Sequence, residues 1–288
     1  MVLSIPVLQI IQVCINRYKF ISGNYSISCF FHGDEYYKPW NRSNWVFVNS
    51  TIWGEDLVKY YRNSSQYYCL FFSVNGVALV NTTVTFNIHG VFYSHTTNAT
   101  GWARLNINLD PGNYIITAFN PVSGEIHANS ITVLSTIVDS HDLVKYYRNN
   151  SQYVVRILGP TGSPVGAGEN ITFNINGMFY TRTTNSSGHA KLNINLGPGN
   201  YIITAYYNSY AVSNNIRVLS ILISEDFYKE YGDGSYFEVI VLDDVGNRYP
   251  NQMVNFNING IFYNRVSDNY GIARLKIIVY YEKFIPMK

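Results

Sequence analysis

Charge is scarce in this sequence. Lys, Arg, Asp and Glu make up only 13% of its 288 residues and nearly cancel, leaving a formal +2. With no basic excess to neutralise phosphates, there is no electrostatic reason to bind nucleic acid. Cysteine is almost missing. Cys14, Cys29 and Cys69 are odd in number and do not recur along the chain, which argues against a disulfide framework. No Cys/His set has metal-ligand spacing, and no Gly-rich phosphate loop joins a strand to a helix. No stretch sustains an apolar period of 3.6, so helices are not expected. The opening "MVLSIPVLQIIQVCINRYKF" is apolar, but it lacks a basic start, contains Pro6 and is too short to span a bilayer. It reads as strand-like core rather than export signal, and neither a signal nor an anchor is seen in this chain.

The sequence is rich in hydrophobic residues, at 47%, and in tyrosine, with 26 copies. Asn, Ser, Thr and Tyr carry most of its polarity, a composition that suits antiparallel sheets with one wet face. It also repeats. "DLVKYYRNSSQY" at 56–67 returns as "DLVKYYRNNSQY" at 142–153, and loosely as "DFYKEYGDGSYF" at 226–237. "TFNIHGVFY" at 85–93 returns as "TFNINGMFY" at 172–180 and "NFNINGIFY" at 255–263. "TNATGWARLNINL" at 97–109 has counterparts at 184–196 and 267–279. The spacing of about 85 residues is too long for a solenoid turn and fits a small domain.

Within each copy, apolar residues alternate with polar ones. Val84, Phe86 and Ile88 face one way, and Thr85 and Asn87 the other. His89-Gly90, Asn176-Gly177 and Asn259-Gly260 are two-residue hairpin turns, in which both central residues need positive φ. Gly101, Gly188 and Gly271 mark a further matching turn. About seven strands per copy predict an all-β fold of tandem immunoglobulin-like sandwiches. "LDPGNYIITA" at 109–118 and "LGPGNYIITA" at 196–205 fit the tyrosine corner of such folds, in which a phenol hydrogen-bonds back to the backbone. Pro111, Gly112 and Tyr114, and Pro198, Gly199 and Tyr201, would form it, with Tyr25 as an upstream echo.

The expected organisation is a C-terminal part of a preceding repeat at 1–53, repeat 1 at 54–138, repeat 2 at 139–222 and a truncated repeat 3 at 223–288. In repeat 3 the corner has become Tyr280-Tyr281-Glu282-Lys283-Phe284, and the phenol is lost. A half-repeat at each end suggests a piece of a longer array or a decayed reading frame of one.

Chemistry is hard to find. The six histidines do not keep their places from copy to copy, and no nucleophile–base–orienter spacing accompanies them. Asp243-Asp244 is one acidic pair without a ligand loop and reads as a hairpin turn rather than a calcium site. No catalytic residue, metal or cofactor is expected. Lys59, Lys145 and Lys229 recur, and read as edge-strand lysines that block aggregation rather than as partners in a lysine–asparagine crosslink. Asn-x-Ser/Thr acceptors are frequent, and Asn63, Asn81, Asn98, Asn149, Asn170 and Asn185 are candidate glycan sites of an exported chain.

The FNING hairpin, the T-x-x-x-G-x-A-x-L strand and the PGNY corner together resemble the Ig-like repeats of adhesin-like surface proteins of methanogenic archaea. The likeness covers nearly everything after residue 22. It implies a cell-surface or extracellular location, tandem arrays and an adhesive or envelope role, and it carries over no catalytic residue. The expectation is a non-enzymatic stalk with adhesion modules, whose partners are surface glycans or cell-wall polymers and neighbouring repeats. An accessory spacer or carbohydrate-binding module of an envelope hydrolase is the alternative.

Overall fold

The computed structural model describes residues 21–278. The corner-loss reading at 280–284 and the reading of the opening twenty residues lie outside that span. Every described element is a strand. The chain divides into two compact units, one ending at Leu134 and the other beginning at Ser135.

In the first unit, β1 (Gly23–Phe31) and β2 (Trp40–Val48) form an antiparallel hairpin. Repeat 1 follows as β3 (Ile52–Gly54), β4 (Leu57–Tyr60), β5 (Gln66–Phe71), β6 (Thr83–Ile88), β7 (Val91–Thr96), β8 (Trp102–Asn106), β9 (Gly112–Phe119) and β10 (Ile126–Leu134). Strands β3-β5-β8 make one sheet, and β4-β10-β9-β6-β7 the other. This is an immunoglobulin-like sandwich with eight strands where about seven were expected, because the first strand is split. Its opening half pairs antiparallel with β5, and after Gly54 the chain crosses to the other sheet, where β4 runs parallel to β10. Gly54 is forced by that crossing: a Cβ there would lie 2.4 Å from the Tyr67 hydroxyl and 2.7 Å from Asn129 Oδ1.

The second unit repeats the plan. Repeat 2 comprises β11 (Ile137–Val138), β12 (Leu143–Tyr146), β13 (Gln152–Ile157), β14 (Asn170–Ile175), β15 (Met178–Thr183), β16 (His189–Asn193), β17 (Gly199–Tyr207) and β18 (Tyr210–Leu219). Its sheets are β11-β13-β16 and β12-β18-β17-β14-β15. Here the crossing has one more residue, and Asp139 takes a φ of 54° where repeat 1 has glycine. Repeat 3 contributes β19 (Leu222–Ile223), β20 (Tyr236–Val241) and β23 (Ile272–Lys276) to one sheet, and β21 (Met253–Ile258) and β22 (Ile261–Val266) to a second. The short opening strands pair forward along the chain. Ile52 and Trp53 pair with β5, Ile137 and Val138 with β13, and Leu222 with β20, so each belongs to the copy that follows it.

Alternation sets the cores. Val84, Phe86 and Ile88 are buried, as are Ile171, Phe173 and Ile175. Tyr67 meets Phe86 edge to face at 5.8 Å between centroids; Tyr153–Phe173 repeats the contact at 5.9 Å and Phe237–Phe256 at 6.0 Å. Full burial of one such ring is worth about 1.5–3 kcal/mol. The hairpin turns have the backbone that Asn-Gly favours: φ is 52° and 79° at His89-Gly90, 52° and 76° at Asn176-Gly177, and 49° and 89° at Asn259-Gly260. Gly101 and Gly188, with Gly271, open β8 and its counterparts at positive φ, where a Cβ at Gly188 would lie 2.6 Å from the Ile157 carbonyl oxygen.

Candidate functional site

The corner tyrosines all reach back four residues. Tyr25 donates its hydroxyl to the Ile21 carbonyl at 2.7 Å, Tyr114 to Asp110 at 2.8 Å and Tyr201 to Gly197 at 2.9 Å. Glycine two residues earlier leaves room for the ring: a Cβ on Gly112 or Gly199 would lie 3.3 or 3.1 Å from the phenol oxygen. Pro111 and Pro198 stand immediately before these glycines, where the chain enters β9 and β17.

Lys59 and Lys145 do lie on edge strands, β4 and β12, but they face inward, which corrects the reading of them as aggregation-blocking guards. Lys59 and Lys145 are 5% exposed. Lys59 Nζ donates to the carbonyls of Ser65 and Ile107 at 3.0 and 2.9 Å; Lys145 does the same to Ser151 and Ile194 at 3.2 and 3.0 Å. Lys229 Nζ donates to the Asp233 carbonyl and, at 2.8 Å, to that of Ile277. Burial holds the Lys59 and Lys145 ammonium groups below their ordinary pKa. Each lysine thus satisfies two backbone acceptors, a task for which its three donors suit it.

A second polar set joins the sheets. Tyr67 donates to Asn129 Oδ1 at 2.7 Å, Asn129 Nδ2 to the Gly54 carbonyl at 3.1 Å, and the Ser130 amide to Asp56 at 2.8 Å. Repeat 2 matches it with Tyr153 to Asn214 at 2.7 Å and the Asn215 amide to Asp142 at 2.8 Å. Burial, aided by the Asp142 charge, pushes the Tyr153 phenol up to about 12. Cys69, buried beside Tyr67, has a thiol raised to about 11 by burial, which leaves it protonated near neutrality. Cys29 and Cys69 are free thiols.

Most sequon asparagines have a backbone task. Asn63 and Asn149 accept through Oδ1 from the amides of Ser65 and Ser151 at 2.7 and 2.8 Å. Asn98 accepts from the Thr100 and Trp102 amides, and Asn185 from Ser187 and His189. Repeat 3 uses aspartate for both jobs: Asp233 accepts from Ser235, and Asp268 from Tyr270 and Ile272. A carboxylate serves equally, so the side-chain oxygen alone accounts for these asparagines. Asn149 Nδ2 also donates to the Asp244 carbonyl at 2.8 Å. Asn81 sits in a turn at a φ of 50°, and Asn170 opens β14 in an exposed position. Asp243 caps its own turn, accepting from the Val245 and Asn247 amides at 3.0 and 2.8 Å. Among the described residues no group of His, Cys, Asp and Glu is placed to hold a metal ion.

What differs between copies is the outer face of the three-stranded sheet. In repeat 2, Asp139 lies 3.9 Å from both Arg156 and His189. In repeat 3, Arg274 pairs with Glu238 at 2.6 Å and also with Asp268. Repeat 1 carries Trp53, Tyr68 and Trp102 on that face instead. Trp53 and Trp102 both flank Leu70 in register and meet edge to face over it, 5.6 Å apart at 65°. Trp53 is 52% exposed and Tyr68 49%. The three rings line a cleft of about 220 Å³ together with Glu55, Asp56 and Gln66. Tyr68 donates to Gln66 Oε1 at 3.1 Å, and Gln66 Nε2 donates to Asn106. Sequence reasoning named no ligand residues. The available signal was a break in the repeat: where repeat 1 has Trp53, Tyr68 and Trp102, the next copy has Val138, Val154 and His189 at the corresponding positions.

No protein-family profile matches the chain, and no curated protein matches it in sequence. Among solved structures it is similar to the I9–I11 tandem of titin, at 12% identity over 79% of this chain and 88% of that one, with a TM-score of 0.32. It is similar to a Ca2+-stabilised adhesin with which an Antarctic bacterium binds ice, at 12% identity over 88% and 73%, TM-score 0.20. It is also similar to the fibronectin(III)-like modules of Clostridium thermocellum CbhA, at 13% identity over 59% and 94%, TM-score 0.23. The fold assignment rests on the strand order of the chain itself.

Proposed function

We propose that this chain is a non-enzymatic, adhesin-like segment of a cell-surface protein, in which tandem sandwiches serve as stalk and as adhesion modules. The observation that carries the reading is the copying of one complete sandwich, with its core ring pair, lysine socket and phenol corner at matching positions. Selection that keeps the interior constant while the outer faces diverge fits a spacer whose surfaces take on separate contacts. The wet faces are rich in Asn, Thr and Tyr, side chains that suit contact with glycans or cell-wall polymers. In this reading the β1–β2 hairpin, with its own corner tyrosine, is the closing pair of a further repeat, and the segments around repeats 1, 2 and 3 are the domains. Among the described residues no helix is long and apolar enough to cross a membrane.

Antibody raised against the chain should label intact, unpermeabilised cells that produce it, and beads coated with it should adhere to partner cells. Labelling only after permeabilisation would overturn the surface assignment.

A further inference from the structure

We propose that the cleft between Trp53, Tyr68 and Trp102 binds a neutral hexopyranose. The inference rests on the adhesive reading above and gives it a place and a ligand class. Three observations carry it. The first is asymmetry within one molecule. The same sheet face holds ion pairs in repeat 2 and repeat 3, and repeat 2 folds with Val138, Val154 and His189 where repeat 1 has its three rings. The rings of repeat 1 are therefore not required by the architecture. Leaving Trp53 and Tyr68 about half exposed also forgoes burial that large rings normally contribute.

The second is chemistry. The apolar C–H face of a pyranose lies flat on exposed aromatic rings, while its hydroxyls need acceptors at the edge. Glu55 supplies a carboxylate acceptor in the lining, and so does Asp56 through the oxygen not engaged by Ser130 and Asn129. The same carboxylates repel anionic sugars, so the ligand is a neutral one. Arg104, opposite Tyr68 in register, does not line the cleft. A quaternary ammonium is the competing guest, since rings and acids also attract cations. The 65° meeting of Trp53 and Trp102 disfavours it: one ring edge abuts the other, which gives a corner and not a set of facing walls. The third is size. About 220 Å³ falls below the roughly 300 Å³ at which drug-sized sites begin, and it fits one ring of a chain.

The test is saturation-transfer NMR on the full chain with methyl β-D-glucopyranoside, methyl β-D-galactopyranoside and N-acetyl-D-glucosamine, with choline chloride as the cationic probe. At least one sugar should show saturable transfer concentrated on one face of its ring. Trp53→Val and Trp102→His install residues that repeat 2 already carries, so the fold tolerates them. Each should weaken binding by roughly tenfold or more, the loss expected for one stacking contact. Trp45→Ala in β2 should change nothing. The proposal is overturned if no sugar binds, if binding survives both cleft variants together, or if choline saturates while the sugars do not. Adhesion of coated beads that persists when no sugar binds would remove this site and leave the surface reading standing.

Discussion

The hydroxyl of Tyr67 and Oδ1 of Asn129 meet at 2.7 Å, a bond between strands that belong to opposite sheets. Tyr67 is 1% exposed, and its phenol is held far above the usual range, mainly by burial. Tyr67→Phe keeps the ring against Phe86 and removes the bond. It leaves the Asn129 oxygen unpaired, which costs about 1–3 kcal/mol. Urea unfolding followed by tryptophan fluorescence, with Trp40 and Trp45 replaced by Phe so that Trp53 and Trp102 report, should show a lower midpoint with an unchanged slope. An unchanged midpoint would mean that water replaces the bond without penalty.

Lys145 separates two accounts of a recurring lysine. If it guarded a sheet edge, Lys145→Met would leave stability within about 0.5 kcal/mol and promote aggregation. Its Nζ instead satisfies the Ser151 and Ile194 carbonyls. Methionine fills similar space and donates nothing, so the buried Ile194 carbonyl and the part-buried Ser151 carbonyl lose their partner. The expected cost is about 1–3 kcal/mol, read as faster amide exchange across residues 152–157 and 189–193 with the chain still soluble.

Local chemistry made much of this fold legible. The alternation of Val84, Phe86 and Ile88 fixed a buried face, and Asn-Gly pairs fixed the hairpins, because both signals act within a few residues. The corner tyrosines bond only four residues back, so they too lie within reach of the sequence. The lysines were misread although their parity was visible: Lys59 shares a side with Leu57, but its acceptor at Ile107 lies 48 residues away. The split first strand failed for the same reason. Gly54 is explained by Tyr67 and Asn129, neither of them a neighbour in sequence. The aromatic cleft gathers residues 53, 68 and 102 from three strands, and only their departure from the repeat marked them.

Gly246 and Gly76 occupy matching turns at φ of 92° and 75°. Alanine at either costs about 1–2 kcal/mol for a left-handed backbone. A Cβ at Gly76 meets nothing within 4 Å, whereas at Gly246 it would lie 2.5 Å from the Tyr146 ring. Gly246→Ala should therefore cost more than Gly76→Ala and displace Tyr146. Faster exchange over 236–249 in Gly246→Ala, with residues 171–175 unaffected, is the expected pattern. Equal costs for the two variants would show that the ring moves aside freely.

Glu125 should give the first unit its acid sensitivity. Its carboxylate accepts from the Thr51 amide at 2.6 Å, the Thr51 hydroxyl at 2.7 Å and the Ser50 hydroxyl at 2.8 Å. Burial alone would raise its pKa, but the hydrogen bonds from Thr51, Ser50 and Ser22 outweigh it, and the folded value lies below 4.5. A folded pKa below the unfolded one means that the unfolded chain binds the proton more readily. The stabilisation is then complete above the unfolded value and is lost as pH falls through the folded one. Glu125→Gln removes the titration, so it should lower stability at neutral pH and flatten the decline on the acid side. The readout is exchange of the Thr51 amide at a series of pH values, corrected for intrinsic rates. In the native chain protection should hold near neutrality and fall below about pH 4.5. In Glu125→Gln it should be lower near neutrality, nearly level with pH, and matched by the native chain at the acid end; a parallel decline in both proteins would assign the acid sensitivity to another group.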